Sequence, residues 1–173
     1  MQTYIALLRA VNVGGTGKLA MQDLSRLCSE LDFAHVKTYI ASGNVIFQSK
    51  LSAKQCREKL ELALQDYVGK PVGVFIRTPE EIEELISNNP YKEQANNRVV
   101  GIFIDAQPES NILSTVRGQQ EELIALGSQH IYVLYGEGMA SSKLVIPAAK
   151  SGTARNMNTI LKLASLSRQS PYL

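Results

Sequence analysis

The sequence predicts an α+β fold made of two subdomains, and three observations carry that reading. The first 77 residues run in the order β-α-β-β-α-β. A polar stretch at 88–97, beginning Asn88-Asn89-Pro90-Tyr91, then interrupts the apolar patterning and marks a boundary. Beyond it the order β-α-β-β-α returns, without residues that match at a fixed period. The chain has 173 residues, 45% hydrophobic and 20% charged, so a core can form without metals or disulfides.

Each element has its own cause. Residues 3–9 are apolar on both faces, which suits a central strand covered by helices. A glycine-rich connection follows, and Met21, Leu24, Leu27, Cys28 and Leu31 then recur at helical spacing over 21–32. Two short β-branched and aromatic runs, 36–40 and 44–48, flank Ala41-Ser42-Gly43 and predict a tight antiparallel hairpin. Ser52 with Gln55 three residues on is a capping box, Leu60, Ala63, Leu64 and Tyr67 carry the helical stripe, and Gly69 ends it. Residues 72–77 form the next strand. Thr78-Pro79-Glu80-Glu81 starts a helix to about 87, with an N-cap, proline at the first position and acids facing the positive end of the dipole.

This is the split βαβ order of a ferredoxin-like α/β plait, assigned to residues 1–88. For residues 89–173 a related topology is expected: a strand at 98–104, a helix at 109–125 that contains Gly118, strands at 130–135 and 143–146, and a last helix over 155–167. The two ferredoxin-like subdomains are expected to pack together.

Targeting signals are not expected. Gln2-Thr3-Tyr4 and a short apolar run to Arg9 lack the basic, hydrophobic and cleavage regions of a signal peptide, and no stretch approaches the roughly 18 apolar residues of a membrane span. Cys28 and Cys56 fall at core-facing helical positions, so they read as two buried thiols of a cytoplasmic protein. The formal charge of +2 excludes a polyelectrolyte of the histone kind, and any basic site must be local.

Two segments carry possible chemistry. The first, Asn12-Val13-Gly14-Gly15-Thr16-Gly17-Lys18, follows a strand and precedes a helix, where backbone N–H groups can gather around a phosphate. A P-loop would need Gly where Asn12 stands and Ser or Thr where Leu19 stands. The dinucleotide fingerprint fits Gly15 to Ala20, yet no acid lies near Ser42 and the second strand leads into a hairpin instead of a crossover. A turn needing positive φ and an anion site using Arg9 and Lys18 remain. The second segment is 153–159, where Thr153 reads as an N-cap. There Arg155, Asn158, Thr159 and Lys162 share one helical face, read either as an anion-binding face or as a solvated one.

Charge is unevenly placed. Residues 1–22, 33–57 and 138–173 contain no acid but hold Arg9, Lys18, Lys37, Lys50, Lys54, Arg57, Lys143, Lys150, Arg155, Lys162 and Arg168. Glu80, Glu81, Glu83 and Glu84 crowd one helix, so a basic face opposite an acidic one is expected. His35 and His130 are the only histidines and neither has metal-ligand spacing, so no metal and no cofactor is expected. Ser42 lacks a G-x-S-x-G elbow. Asn44, Ile46 and Ser49 stand where an RNA-recognition motif would place aromatics, which argues against base stacking.

The runs Leu8-Arg9-Ala10-Val11-Asn12-Val13-Gly14-Gly15, Lys18 and Met21, Thr38-Tyr39-Ile40, Ser42-Gly43-Asn44-Val45-Ile46-Phe47, Asn89-Pro90 and residues 153–159 together resemble the bacterial domain-of-unknown-function family 1697. The resemblance spans nearly the whole chain. It implies an α+β protein of two ferredoxin-like subdomains and no established activity. Ala10 stands where the family often has Gly and Met157 where it has Trp, the latter weakening any aromatic stacking beside Arg155.

The polar positions shared in this resemblance are Arg9, Asn12, Lys18, Ser42, Asn44, Arg155, Asn156 and Thr159. With Gly14, Gly15 and Asn158 they are expected to converge near the subdomain junction on a phosphate-bearing or carboxylate ligand, a nucleotide or nucleic-acid backbone among them. Arg9, Lys18 and Arg155 would supply charge, Asn12, Ser42, Asn44 and Asn156 hydrogen bonds, and the glycines backbone access. One alternative is an enzyme acting on a phosphorylated metabolite, with Lys18 and Arg155 stabilising developing charge, although no poised base stands out. Another is a protein-interaction module whose polar motifs fix turns through buried hydrogen bonds. No membrane partner is expected, and the oligomeric state is left open.

Overall fold

The computed structural model describes residues 1–14, 18–136 and 139–169. The chain divides into two compact units, Met1–Ile82 with Leu163–Leu173, and Glu83–Lys162. Both are mixed α and β, each with a four-stranded antiparallel sheet.

The first unit contains β1 (Gln2–Leu8), α1 (Met21–Glu30), β2 (Ala34–Thr38), β3 (Asn44–Ser49), α2 (Ala53–Val68) and β4 (Val74–Arg77), with sheet order β2-β3-β1-β4. The predicted central strand is β1, flanked by β3 and β4, and residues 5–8 are fully buried. Alternate residues build the core: Tyr4, Ala6, Leu8, Val45, Phe47, Val74 and Ile76 meet Leu24, Leu27, Cys28, Cys56, Leu60 and Leu64 from the two helices. Phe33 stacks on Phe47 with centroids 4.2 Å apart. The capping box closes as its spacing predicts, with Ser52 and Gln55 exchanging bonds of 3.0 and 3.2 Å, and Gly69 ends α2 in the left-handed region at φ 86°. Strand β2 carries a bulge between Ala34 and Lys37, where His35 takes φ 52°. α3 (Pro79–Ser87) starts as expected, the Thr78 hydroxyl accepting from the N–H of Glu81 at 3.2 Å.

The second unit contains β5 (Val99–Phe103), β6 (Leu123–Leu126), β7 (His130–Leu134) and β8 (Thr153–Asn156), in the order β6-β7-β5-β8, followed by α4 (Met157–Arg168), whose last turns belong to the first unit. Val100, Ile102, Ile104, Ile112, Ile131, Val133 and Ile146 form its core. The buried Tyr132 hydroxyl donates to the Leu85 carbonyl at 2.7 Å, one of the last carbonyls of α3. Because that proton is committed, His130 Nε2, 3.1 Å from the same hydroxyl oxygen, must be the donor to it.

Three expectations are corrected here. The helix at 109–125 is instead a short 3-10 helix, Ser110–Thr115, and the strand β6. Gly118, at φ 70°, leaves room only for the Lys143 carbonyl where a side chain would start, which breaks any continuous helix, and residues 123–126 gain ladder partners on β7. The strand at 143–146 reduces to one bridge between Arg117 and Val145. The last helix begins at Met157, since residues 153–156 pair with β5. Its cap is therefore Asn156 and not Thr153.

Candidate functional site

One end of the first sheet gathers most of the polar positions singled out in the sequence. β1 leaves there, β3 enters, and backbone bonds tie the connections together: Leu8 N–H to Gly43 O at 2.8 Å and Arg9 N–H to Gly73 O at 2.9 Å. The Asn12 carboxamide donates to the carbonyls of Leu19 and Ala41 and accepts from the N–H of Leu19, each at 2.8 Å. In the hairpin, the fully buried Asn44 side chain donates to Tyr39 O and to the Ser42 hydroxyl, both at 2.9 Å.

The backbone at this end is unusual. Ala10, Asn12 and Gly14 alternate in the left-handed region at φ 57°, 57° and 59°, and Ile40 at 51° and Gly43 at 90° join them across the hairpin. Each non-glycine there costs about 1–2 kcal/mol, and a β-branched residue such as Ile40 is a rare occupant. Gly43 is required on a second ground: a Cβ would lie 2.7 Å from Val11 Cγ2 and 2.9 Å from Leu8 Cβ. Arg9, Gly14 and Lys18 are exposed, as are Val13 and Ile40. Gly15 lies outside the described residues.

The second group sits in the other unit. Arg155 is on β8, 6% exposed, and its Nη1 donates to the Thr153 hydroxyl at 2.7 Å and to Ala154 O at 2.9 Å. Burial lowers its guanidinium to about 10, which leaves it cationic at neutral pH. Asn156 Oδ1 accepts from the N–H of Thr159 at 3.0 Å and so caps α4; Thr159 is buried and Asn158 exposed. With Arg155 on a strand, the expected helical face of Arg155, Asn158, Thr159 and Lys162 does not form. The structure thus brings together Arg9, Asn12, Gly14, Lys18, Ser42 and Asn44 in one unit, and Arg155, Asn156, Asn158 and Thr159 in the other.

Sequence reasoning missed two features. A cavity of about 640 Å³ in the first unit is bordered by His35, Lys37 and Arg168, and the only signal for it was that Lys37 and Arg168 lie in acid-free stretches. In the second unit the buried Glu122 carboxylate accepts from the Ser142 hydroxyl at 2.6 Å and the N–H of Gln120 at 2.7 Å, which hold its carboxyl below the usual range. Among the described residues, no group of three or more His, Cys, Asp or Glu is placed to hold a metal ion, and no helix is long and apolar enough to cross a membrane.

Residues 1–132 match the family described as "Protein of unknown function (DUF1697)". The chain belongs to this family. The resemblance read from the motifs is therefore borne out, although the matched span ends before 153–159. The DUF1697 chain is also similar in fold to a solved structure, that of the conserved bacterial protein SP0830 from Streptococcus pneumoniae, with a TM-score of 0.81 and 24% identity over 98% of this chain and 99% of the other. No curated protein matches it.

Proposed function

We propose that the end of the first sheet where β1 meets the hairpin binds a small phosphate-bearing or carboxylate ligand, a nucleotide or nucleic-acid phosphate included. The observation that carries this reading is the alternation of left-handed residues at Ala10, Asn12 and Gly14, a backbone pattern from which anion-binding nests of N–H groups are made. Strain of this kind persists where the surroundings enforce it, and it clusters at binding sites. Arg9 and Lys18, exposed beside that backbone, supply positive charge. Asn12, Ser42 and Asn44 act as positioning residues, since the two carboxamides are committed to carbonyls and to the Ser42 hydroxyl. Arg155, Asn156 and Thr159 hold the turn from β8 into α4, leaving Asn158 as the solvent-facing polar group of that motif.

The same inference extends to fold and compartment. Strand orders β2-β3-β1-β4 and β6-β7-β5-β8 are one pattern used twice, which supports reading both units as variants of a ferredoxin-like plait, the first helix of the second being reduced to Ser110–Thr115. The division into 1–88 and 89–173 read from the sequence lies near the break between Ile82 and Glu83 but differs from it in the placing of Leu163–Leu173. Free, buried Cys28 and Cys56 support a cytoplasmic location.

A protein-docking reading has one observation in its favour: Val13 is 60% and Ile40 46% exposed at this same end, the latter in a strained conformation. A thermal-shift panel of anions on wild type and on Arg9→Ala/Lys18→Ala decides between them. A ligand-dependent shift that the double variant loses supports the anion site, whereas indifference to every anion favours docking.

A further inference from the structure

The first unit holds a second candidate site that none of the sequence motifs claims. His35, Val36 and Lys37 of β2 and Ile46, Phe47 and Gln48 of β3 border the 640 Å³ cavity, while the side chains of Val36 and Phe47 pack into the core on the other face of the sheet. Strand β2 is irregular there, with a bulge between Ala34 and Lys37 and His35 left-handed at φ 52°. Ile46 and Leu166 give the cavity an apolar wall. Gln48 lines it with an amide whose Nε2 donates to Thr3 Oγ1 at 3.4 Å.

Its charge is one-sided. Lys37 Nζ donates to the neutral Gln169 Oε1 at 3.2 Å, and Arg168 is engaged at 3.4 Å with Glu80, a pair that is 47% and 66% exposed and therefore weakly coupled. No Asp or Glu lines the cavity among the described residues. Lys37 comes from the acid-free stretch 33–57 and Arg168 from 138–173, so the fold unites two of the three basic segments here. The volume falls in the usual range of ligand pockets.

The geometry points to this cavity as a binding site for a small organic anion, its carboxylate or phosphate head held by His35, Lys37 and Arg168 and its apolar body against Ile46 and Leu166. The inference is independent of the loop site proposed above. Titration of the full ¹⁵N-labelled chain with hexanoate, hexyl phosphate and neutral hexanol, read by amide chemical shifts, tests it. The expected result is saturable change at residues 35–37, 46–48 and 166–169 with at least one of the two anions, the better of them naming the head group. Lys37→Ala, an exposed position whose fold the same spectra check, is expected to weaken binding roughly tenfold, in line with the loss of one charge-assisted hydrogen bond. Arg9→Ala/Lys18→Ala is expected to leave it unchanged. Equal binding of hexanol, no saturable change with either anion, an unaffected Lys37→Ala, or loss of the change in Arg9→Ala/Lys18→Ala would each overturn the proposal.

Discussion

The Asn12 carboxamide donates to the carbonyl of Ala41 at 2.8 Å, joining the loop after β1 to the turn between β2 and β3 across 29 residues of sequence. The same side chain grips Leu19 in both directions, so one residue spans the glycine-rich loop and fastens it to the hairpin. A loop held in this way can keep alternate residues left-handed, and that conformation is what the proposed anion site depends on.

Asn12→Ala is expected to lower stability by about 1–3 kcal/mol in urea unfolding, because three hydrogen bonds are lost and alanine is disfavoured at φ 57°. Asn12→Gly loses the same bonds but accepts the backbone, so it should recover roughly 1 kcal/mol of the deficit. Equal stability of the two variants would mean that the left-handed conformation at position 12 carries no cost.

Asn156→Ala removes the cap of α4 and is expected to cost about 0.5–2 kcal/mol, while Asn156→Asp, which keeps the acceptor and adds charge at the positive end of the dipole, should restore most of it. Thermal unfolding of the three proteins checks this. An aspartate variant as unstable as the alanine one would assign Asn156 some role other than capping.

Stability should fall on the alkaline side. Burial pushes the Cys28 thiol up to about 12 from 9.0, and burial together with Glu84 pushes the Tyr132 hydroxyl up to about 12 from 10.0. Both are raised in the folded state, so their contribution is complete below the unfolded values and is lost as pH rises from about 9 towards 12. Urea midpoints measured between pH 7 and 10.5 should decline, and Cys28→Ala should decline less steeply than wild type. The Cys28 thiol should also resist disulfide reagents until the chain is unfolded.

The first unit was legible in the sequence because its local signals and its tertiary contacts agree. Met21 to Leu31 carries helical spacing, Ser52 with Gln55 caps α2, and Ala41-Ser42-Gly43 turns the hairpin. In the second unit they conflict. Residues 123–126 carry little strand preference of their own and become β6 through the ladder on β7, while the signal that breaks a helix before them is the single Gly118. The stretch 153–156 looked like a helix entry because Thr153 is a good cap, but its alternating burial is that of a strand on β5. Most of the polar positions were found, whereas their roles were not. That Asn12, Asn44 and Asn156 would direct their carboxamides largely to backbone depends on loop conformations that no residue pattern encodes. The cavity beside His35 was invisible because its borders come from β1, β2, β3 and the end of α4, segments far apart in the sequence.

The most direct test of the anion site is the thermal shift of wild type and Arg9→Ala/Lys18→Ala with phosphate, sulfate, nucleotides, a short single strand and carboxylate metabolites. A ligand at 100 times its dissociation constant stabilises by about 2.7 kcal/mol. At roughly 2–4 °C per kcal/mol for a chain of this size, that is a rise of about 5–11 °C. The account expects at least one phosphate-bearing or carboxylate compound to give such a rise in wild type and none in the double variant. Equal rises in both proteins, or no rise with any anion, would contradict it.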